Sequence, residues 1–60
     1  MKANEIYDII KELSYKDKRW AKIYQNLTSG SMESLGDRLD YLESKNFKNI
    51  DDLKTFYEIK

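Results

Sequence analysis

A helical rhythm of apolar residues in the middle of the chain limits its fold more than any other feature. Across residues 31–47 apolar side chains recur at alternating spacings of three and four, at Met32, Leu35, Leu39 and Leu42. This spacing places all four on one stripe of an α-helix. Acidic residues occupy a different face, also at helical spacing, at Glu33, Asp37 and Asp40. The stretch therefore predicts an amphipathic helix whose apolar stripe packs against the rest of the chain.

Two helices are predicted before this stretch. The first covers about residues 4–13, where isoleucine and leucine recur at helical spacing and Asn4 can cap the start. The second covers about residues 15–26 and follows a break at Ser14. There Ser14 and Asp17 have the arrangement of a shortened capping box, in which each side chain bonds the other's backbone.

The central helix is predicted to span about residues 32–45, after a loop of small polar residues at 28–31. Gly36 lies inside it and costs about 0.5–1 kcal/mol relative to alanine. The glycine has two interpretations, as a point of close approach for another helix or as a tolerated defect. Asn46 suits the left-handed conformation that often ends a helix.

The chain length supports a single domain, residues 1–60, near the lower limit for independent folding. A fourth helix is predicted from Asn49, with residues 58–60 fraying at the end. No segment alternates with the period of a β-strand. Without cysteine or histidine, neither a disulfide nor a common zinc site can support the fold. We therefore expect an all-α protein, a small bundle of three or four short helices held by packing.

Charge and hydropathy narrow the classes of function. The net charge is zero, whereas nucleic-acid-binding proteins are usually clearly basic. The two halves differ, since residues 1–28 carry a net charge of +2 and residues 29–60 a net charge of −2. No stretch approaches the roughly 20 apolar residues of a membrane span, and the N-terminus does not resemble a signal peptide. The absence of cysteine fits a reducing compartment, so we expect a cytoplasmic protein without a membrane partner.

Catalysis is not expected from these residues. Histidine, the commonest general base near neutral pH, and the cysteine nucleophile are both missing. Asp51 and Asp52 are adjacent carboxylates, but neighbours in sequence diverge around a helix, and a position in the first turn explains both electrostatically. The chain has no glycine-rich phosphate loop and no calcium-loop spacing. We expect a protein that is not an enzyme and needs no cofactor or metal.

Two surfaces are candidates for binding another protein. The first is a basic, aromatic cluster on the second helix, formed by Tyr15, Lys16, Arg19, Trp20, Lys22 and Tyr24. In one interpretation Trp20 belongs to the core and the basic residues keep the helix soluble. In the other, an exposed Trp20 with arginine and tyrosine anchors an interface. The second surface is the acidic row Glu33, Asp37 and Asp40, which is either a solvated helix face or a docking surface for a basic partner.

Part of the chain also resembles the helix-turn-helix of winged-helix transcription regulators. Residues 35–47 are similar to the recognition helix of that family and its exit, residues 28–31 to the turn, and Ile23 and Leu27 to the supporting helix. The resemblance implies a DNA-binding regulator, acting as a dimer on two half-sites. It also implies three residues that face the groove of the DNA, Ser31, Ser34 and Arg38. The other basic surface available to DNA is formed by Lys16, Lys18, Arg19 and Lys22.

Our leading hypothesis from the sequence is a small regulatory or inhibitory protein that docks on another protein. Zero net charge, missing catalytic groups and abundant tyrosine favour it. A helix-turn-helix DNA-binding protein is the alternative, and a purely structural homodimer is the third. Small size and an accessory binding role would suit a phage or mobile-element product.

Overall fold

Four α-helices follow one another in the computed structural model, which describes residues 1–59. They are α1 (Ala3–Ser14), α2 (Lys18–Thr28), α3 (Met32–Glu43) and α4 (Ile50–Phe56). No strand occurs in the described residues. The predicted all-α bundle is therefore confirmed, and in it α1 packs against both α2 and α3.

The start of α2 differs from the prediction. The helix begins at Lys18, and Asp17 caps it by accepting a hydrogen bond of 2.8 Å from the backbone N–H of Arg19. Ser14 instead ends α1, and its hydroxyl donates back to the carbonyl of Lys11. The capping box expected from Ser14 and Asp17 is therefore wrong, because a short turn separates the two helices.

The cap of α1 also differs. Asn4 lies within the first turn, and the N-terminal backbone is held by two carboxylates. Glu43 of α3 accepts from the N–H of Ala3 at 2.9 Å, and Glu5 accepts from the N–H of Lys2 at 3.3 Å. Negative charge at this end also stabilises α1, because the N-terminal end of the helix dipole is positive. The Glu43 contact joins residues 40 positions apart, so α1 and α3 are tied together by it.

The starts of α3 and α4 agree with the sequence. Ser31 caps α3 by accepting from the N–H of Ser34 at 3.2 Å. Asn49 caps α4 by accepting from the N–H of Asp52 at 3.1 Å. Helix α3 ends at Glu43, two residues before the predicted end, and Asn46 adopts a φ of 58° as expected. This left-handed residue turns the chain so that Phe47 is buried.

The core draws on all four helices and on the segments that follow α3 and α4. Its buried members are Ile6, Ile10, Trp20, Leu27, Leu42, Phe47, Leu53 and Ile59. Along α3, Leu42 is buried, Leu35 and Leu39 are half-buried, and Met32 is 86% exposed. The predicted stripe is therefore correct for three positions and wrong for Met32, which lies at the end of the helix where no neighbour covers it.

Residues after α4 do not fray as predicted. The N–H of Ile59 donates to the carbonyl of Lys54 at 2.9 Å, the N–H of Glu58 donates to that of Thr55 at 3.1 Å, and Glu58 has a φ of 58°. This pattern is the Schellman motif that ends many helices. It returns Ile59 to the core, where only 9% of the residue is exposed. Lys60, also predicted to fray, lies outside the described residues.

Gly36 provides a test of the packing. A Cβ built at this position meets nothing within 4 Å, so of its two interpretations the tolerated defect is correct. Replacing Gly36 with alanine should raise the free energy of unfolding by about 0.5–1 kcal/mol, because alanine loses less backbone entropy in a helix. Urea titration would measure the change. Gly30→Ala is the matched control, and it should destabilise the protein because Gly30 has a φ of 92°. Equal effects of the two substitutions would contradict the prediction.

Candidate functional site

An open groove lies between α2, α3 and α4 and has a volume of about 760 Å³. We call it the α2–α3–α4 groove. Its lining residues are Ile23, Asn26, Leu27, Ser29, Asp37, Arg38, Tyr41, Leu42, Phe56 and Tyr57. Apolar and aromatic side chains predominate among them, and the charged groups are one carboxylate and one guanidinium.

The aromatic side chains of the groove rest on the core. Tyr57 meets the buried Trp20 edge to face, with 5.7 Å between ring centres, and Phe56 meets the buried Phe47 in the same way at 5.4 Å. Phe56 nevertheless remains 39% exposed, and Tyr41 on the opposite wall is 55% exposed. Edge-to-face pairs are favourable beyond the area they bury, so the rings are held in place while their outer surfaces stay open to solvent.

Lys45 lies over the wall that Tyr41 forms. Its Nζ is 4.7 Å from the centre of the Tyr41 ring and 6.0 Å from that of Phe56. A cation above an aromatic face is attracted by the ring's electrons, which at exposed sites contributes about 0.5–1 kcal/mol. Positive charge is therefore held at the edge of the groove, beside its two most exposed rings.

Arg38 closes the groove at the C-terminal end of α2. Its Nη1 donates to the backbone carbonyls of Asn26, Leu27 and Ser29 at 2.8, 3.1 and 2.6 Å. The last carbonyls of a helix have no hydrogen-bond donor within the helix, and they form the negative end of its dipole. A guanidinium supplies both the donors and the positive charge. The guanidinium thus lies against α2. Arg38, one of the three residues that the helix-turn-helix resemblance implied to face DNA, is exposed and makes these contacts with α2.

The other residues implied by that resemblance make local contacts. The hydroxyls of Ser31 and Ser34 lie 3.2 Å apart at the start of α3, where Ser31 is the cap. After Phe47 the chain enters α4, and no strand follows within the described residues. The serines thus have a structural role at the helix terminus, whether or not they also contact a ligand.

Trp20, the proposed centre of the basic, aromatic cluster, is only 1% exposed. The interpretation with an exposed indole is therefore wrong, and the interpretation of Trp20 as core is correct. The reason is the phase of α2, because Trp20 and Leu27 lie seven residues apart and both face the bundle. Tyr24 turns towards α1 and is half-buried, with its hydroxyl 3.1 Å from that of Tyr7.

The remaining members of the predicted basic surface divide between two sides of the molecule. Arg19 and Lys22 precede the groove residues Ile23 and Asn26 by four positions each, so they extend the α2 wall of the groove. Tyr15 and Lys16 are exposed in the turn before α2, and Tyr15 is close enough to Tyr24 to influence its ionisation. Lys18, in the first turn of α2, is also exposed.

Of the predicted acidic row, one member belongs to the groove. Asp37 is in the lining, whereas Glu33 and Asp40 are exposed and do not line it. Asp40 precedes the buried Leu42 by two residues and Glu33 precedes it by nine, which places both on the side of α3 opposite the core. The acidic row is thus mainly a solvated face.

Arg19 forms an ion pair at the start of α2. Its Nη2 lies 2.8 Å from one carboxylate oxygen of Asp17, and its Nε donates to the other oxygen at 3.2 Å. These hydrogen bonds from Arg19 hold the pKa of the Asp17 carboxyl below its usual value. Because the pair is exposed, it fixes the orientation of the Arg19 side chain more than it stabilises the fold.

Two tyrosines have perturbed ionisation. The hydrogen bond with Tyr7, followed by desolvation, raises the pKa of Tyr24 above 10.0, and burial raises the pKa of Tyr57. Both phenols therefore keep their protons more firmly in the folded protein than in the unfolded chain.

Stability should consequently fall at alkaline pH. The contribution of the two phenols is fully present below their unfolded pKa near 10 and is lost as the pH rises through their higher folded values. Urea titrations on both sides of pH 10 would show this decrease. A Tyr24→Phe/Tyr57→Phe double variant should lose less stability over the same interval, because it lacks both titrations. An identical decrease in the double variant would assign the effect to other groups.

Sequence reasoning missed the groove itself. The sequence assigns Ile23 only to the supporting helix of the helix-turn-helix resemblance, and it gives no binding role to Asn26, Tyr41, Phe56 or Tyr57. A signal was present at Tyr41, because it directly precedes Leu42 and so lies about 100° away from the buried stripe of α3. A large aromatic residue at the border of an apolar stripe indicates a surface that a neighbouring element or a partner can cover.

The described residues contain no group of three or more potential metal ligands and no helix long and apolar enough to cross a membrane. No protein-family model matches the sequence, and no curated protein or solved structure is significantly similar to it. The function is therefore inferred from the groove and the charges around it.

Proposed function

We propose that this protein is non-catalytic and acts as a regulator or inhibitor by docking on another protein. The α2–α3–α4 groove would receive a short helical segment of that partner. The observation that carries this proposal is an apolar floor open to solvent, flanked by the exposed rings of Tyr41 and Phe56. Apolar grooves between helices are a recurring receptor for amphipathic helices, and aromatic residues are common anchors of interfaces.

The absence of catalytic groups from the sequence supports a binding role. The 60 residues include no histidine and no cysteine, and the groove contains one carboxylate, that of Asp37. General acid–base catalysis normally needs a group poised near the working pH and a second group that orients it or acts with it. A single carboxylate at the rim of an open groove meets neither need.

Docking on a protein is favoured over binding to DNA by the state of the basic groups. Arg38 is held by the carbonyls of α2, Arg19 is bonded to Asp17, and Asp37 adds negative charge to the groove. DNA binding depends on cations that neutralise several phosphates at once. The zero net charge of the chain also gives no long-range attraction for a polyanion.

A pair of tyrosine substitutions tests the groove. Peptides of about 12 residues, roughly three helical turns, would be selected from a random display library on the immobilised protein. Tyr41→Ala should weaken binding of the selected peptides by at least about tenfold, as expected for an exposed aromatic anchor. Tyr15→Ala is the matched control, because Tyr15 is 76% exposed and lies outside the groove, and it should change affinity by less than about twofold.

Two results would contradict the proposal. One is a library without peptides that bind above the level of the bare support. The other is a set of bound peptides that respond equally to Tyr41→Ala and Tyr15→Ala. Circular dichroism of both variants would establish that each remains helical, so that lost binding reports the contact and not the fold.

The DNA-binding alternative is tested by titrating duplex DNA at low and moderate salt. We expect negligible binding at both concentrations. Micromolar affinity that falls steeply with salt would replace protein docking as the main role, because release of counterions is the signature of phosphate contacts. A melting temperature that does not change with protein concentration would exclude the purely structural homodimer.

A further inference from the structure

We propose that the segment bound in the α2–α3–α4 groove is an acidic amphipathic helix. This inference depends on the docking function proposed above and names the chemistry of the partner. It follows from the distribution of charge around the groove, which the zero net charge of the whole chain conceals.

Basic groups surround the groove on both of its long walls. On α2, Lys22 lies one turn before the lining residue Asn26 and is exposed. On the α3 side, Lys45 lies one turn beyond Tyr41, with its Nζ above the Tyr41 ring. Arg38 is itself in the lining and keeps its positive charge while it caps α2. The groove therefore has cations along its walls and at one end.

Three carboxylates lie in the lining or close to residues that adjoin it, and two of them accept hydrogen bonds within the protein. Asp37 is the carboxylate of the lining. Asp52, one turn before Phe56, accepts a hydrogen bond of 2.8 Å from the backbone N–H of Lys48. Asp17 is bonded to Arg19. Of the other acids of α3, Glu33 and Asp40 lie on the far side of that helix, and Glu43 accepts from the N–H of Ala3. Among the described residues Lys22 and Lys45 form no ion pair, so the charge of both is available to a partner.

The dimensions of the groove set the length of the segment. Helix α2, which forms one wall, has 11 residues and is about 16 Å long, so a partner helix of roughly three turns would lie along the whole of that wall. Apolar side chains of that helix at positions i, i+3 or i+4, and i+7 would contact the floor at Leu27 and Leu42 and the rings of Tyr41 and Phe56. Carboxylates that flank this row would then lie beside Lys22 and Lys45.

A helical peptide library tests the charge of the bound segment. Its apolar row is fixed, and each flanking position is either Glu or Lys. Selection on the unmodified protein should enrich Glu over Lys by about fivefold or more, as expected for a few exposed charge pairs. The Lys22→Glu/Lys45→Glu variant should reverse the preference. Lys11→Glu/Lys16→Glu changes the net charge equally, at exposed residues of α1 and the following turn that do not line the groove, and should leave the preference for Glu in place.

Each other outcome overturns the inference. If binding of the selected peptides depended on Tyr41 but showed no preference for Glu, or a preference for Lys, the proposed acidic helix would be wrong. The proposed docking function would not be affected by this result. Reversal by both double variants would indicate long-range attraction and not contacts at the groove. If no bound peptide depended on Tyr41, the docking function itself would fail. The oligonucleotide dT12 tests single-stranded nucleic acid as the ligand. If dT12 bound more tightly than the selected peptides, and if Tyr41→Ala and Lys22→Glu/Lys45→Glu both lost this binding, the groove would be assigned to single-stranded nucleic acid.

Discussion

Replacing Trp20 with alanine should unfold most of the protein at room temperature. Trp20 is 1% exposed and packs edge to face on Tyr57, so its removal leaves a large cavity between α2 and α4. Such truncations cost about 3–5 kcal/mol. At 0.05–0.15 kcal/mol per residue, a domain of this length has roughly 3–9 kcal/mol in total. The loss is therefore comparable to the whole stability of the fold.

Urea titration followed by circular dichroism would measure this loss. Tyr15→Ala is the control, because it removes another large aromatic side chain, but from an exposed turn, and should cost less than about 0.5 kcal/mol. In the unmodified protein, the indole fluorescence should resist quenching by iodide. A Trp20→Ala variant that lost less than about 1 kcal/mol, or iodide quenching as strong as that of free tryptophan, would show that Trp20 is not in the core.

Replacing Arg38 with alanine should lower the free energy of unfolding by about 1–2 kcal/mol. Hydrogen bonds that involve a charged group contribute roughly 1.5–3 kcal/mol when buried, and exposure of the side chain reduces this figure. The carbonyl of Leu27 is the partly buried acceptor, so its loss of a partner carries much of the cost. The negative end of the α2 dipole would also lose its counter-charge.

Thermal and urea unfolding of three variants would isolate the cap. Arg38→Lys keeps the charge but loses the fork of donors that reaches several carbonyls, so it should recover only part of the stability. Arg19→Ala, which removes an exposed ion pair with Asp17, should cost clearly less than Arg38→Ala. If Arg38→Ala and Arg19→Ala proved equally mild, Arg38 would have no structural role, and its side chain would be available to a ligand.

The residues themselves determined the helical class and much of the element order. The spacing of apolar residues in α1 and α3 is compatible with a helix and not with a strand. The polar residues Ser31 and Asn49 indicated helix starts, and the structure has both as helix caps. Asn46 has the positive φ that its position suggested. These features are local, since each depends on residues within about one turn of the helix, and for that reason they can be read from one sequence.

The tertiary structure alone decided which of two chemically reasonable faces is buried. The spacing of α2 groups Trp20 with Leu27 on one face, but whether Trp20 on that face is covered depends on Tyr57, which lies 37 residues later and packs on it. The same holds for Arg38, whose acceptors are carbonyls of a different helix, and for the groove, whose walls come from α2, α3 and α4. The helical period gives the direction of each side chain relative to its own axis. Only the mutual arrangement of the axes determines whether that direction leads to a neighbour or to solvent, and that arrangement arises from long-range packing.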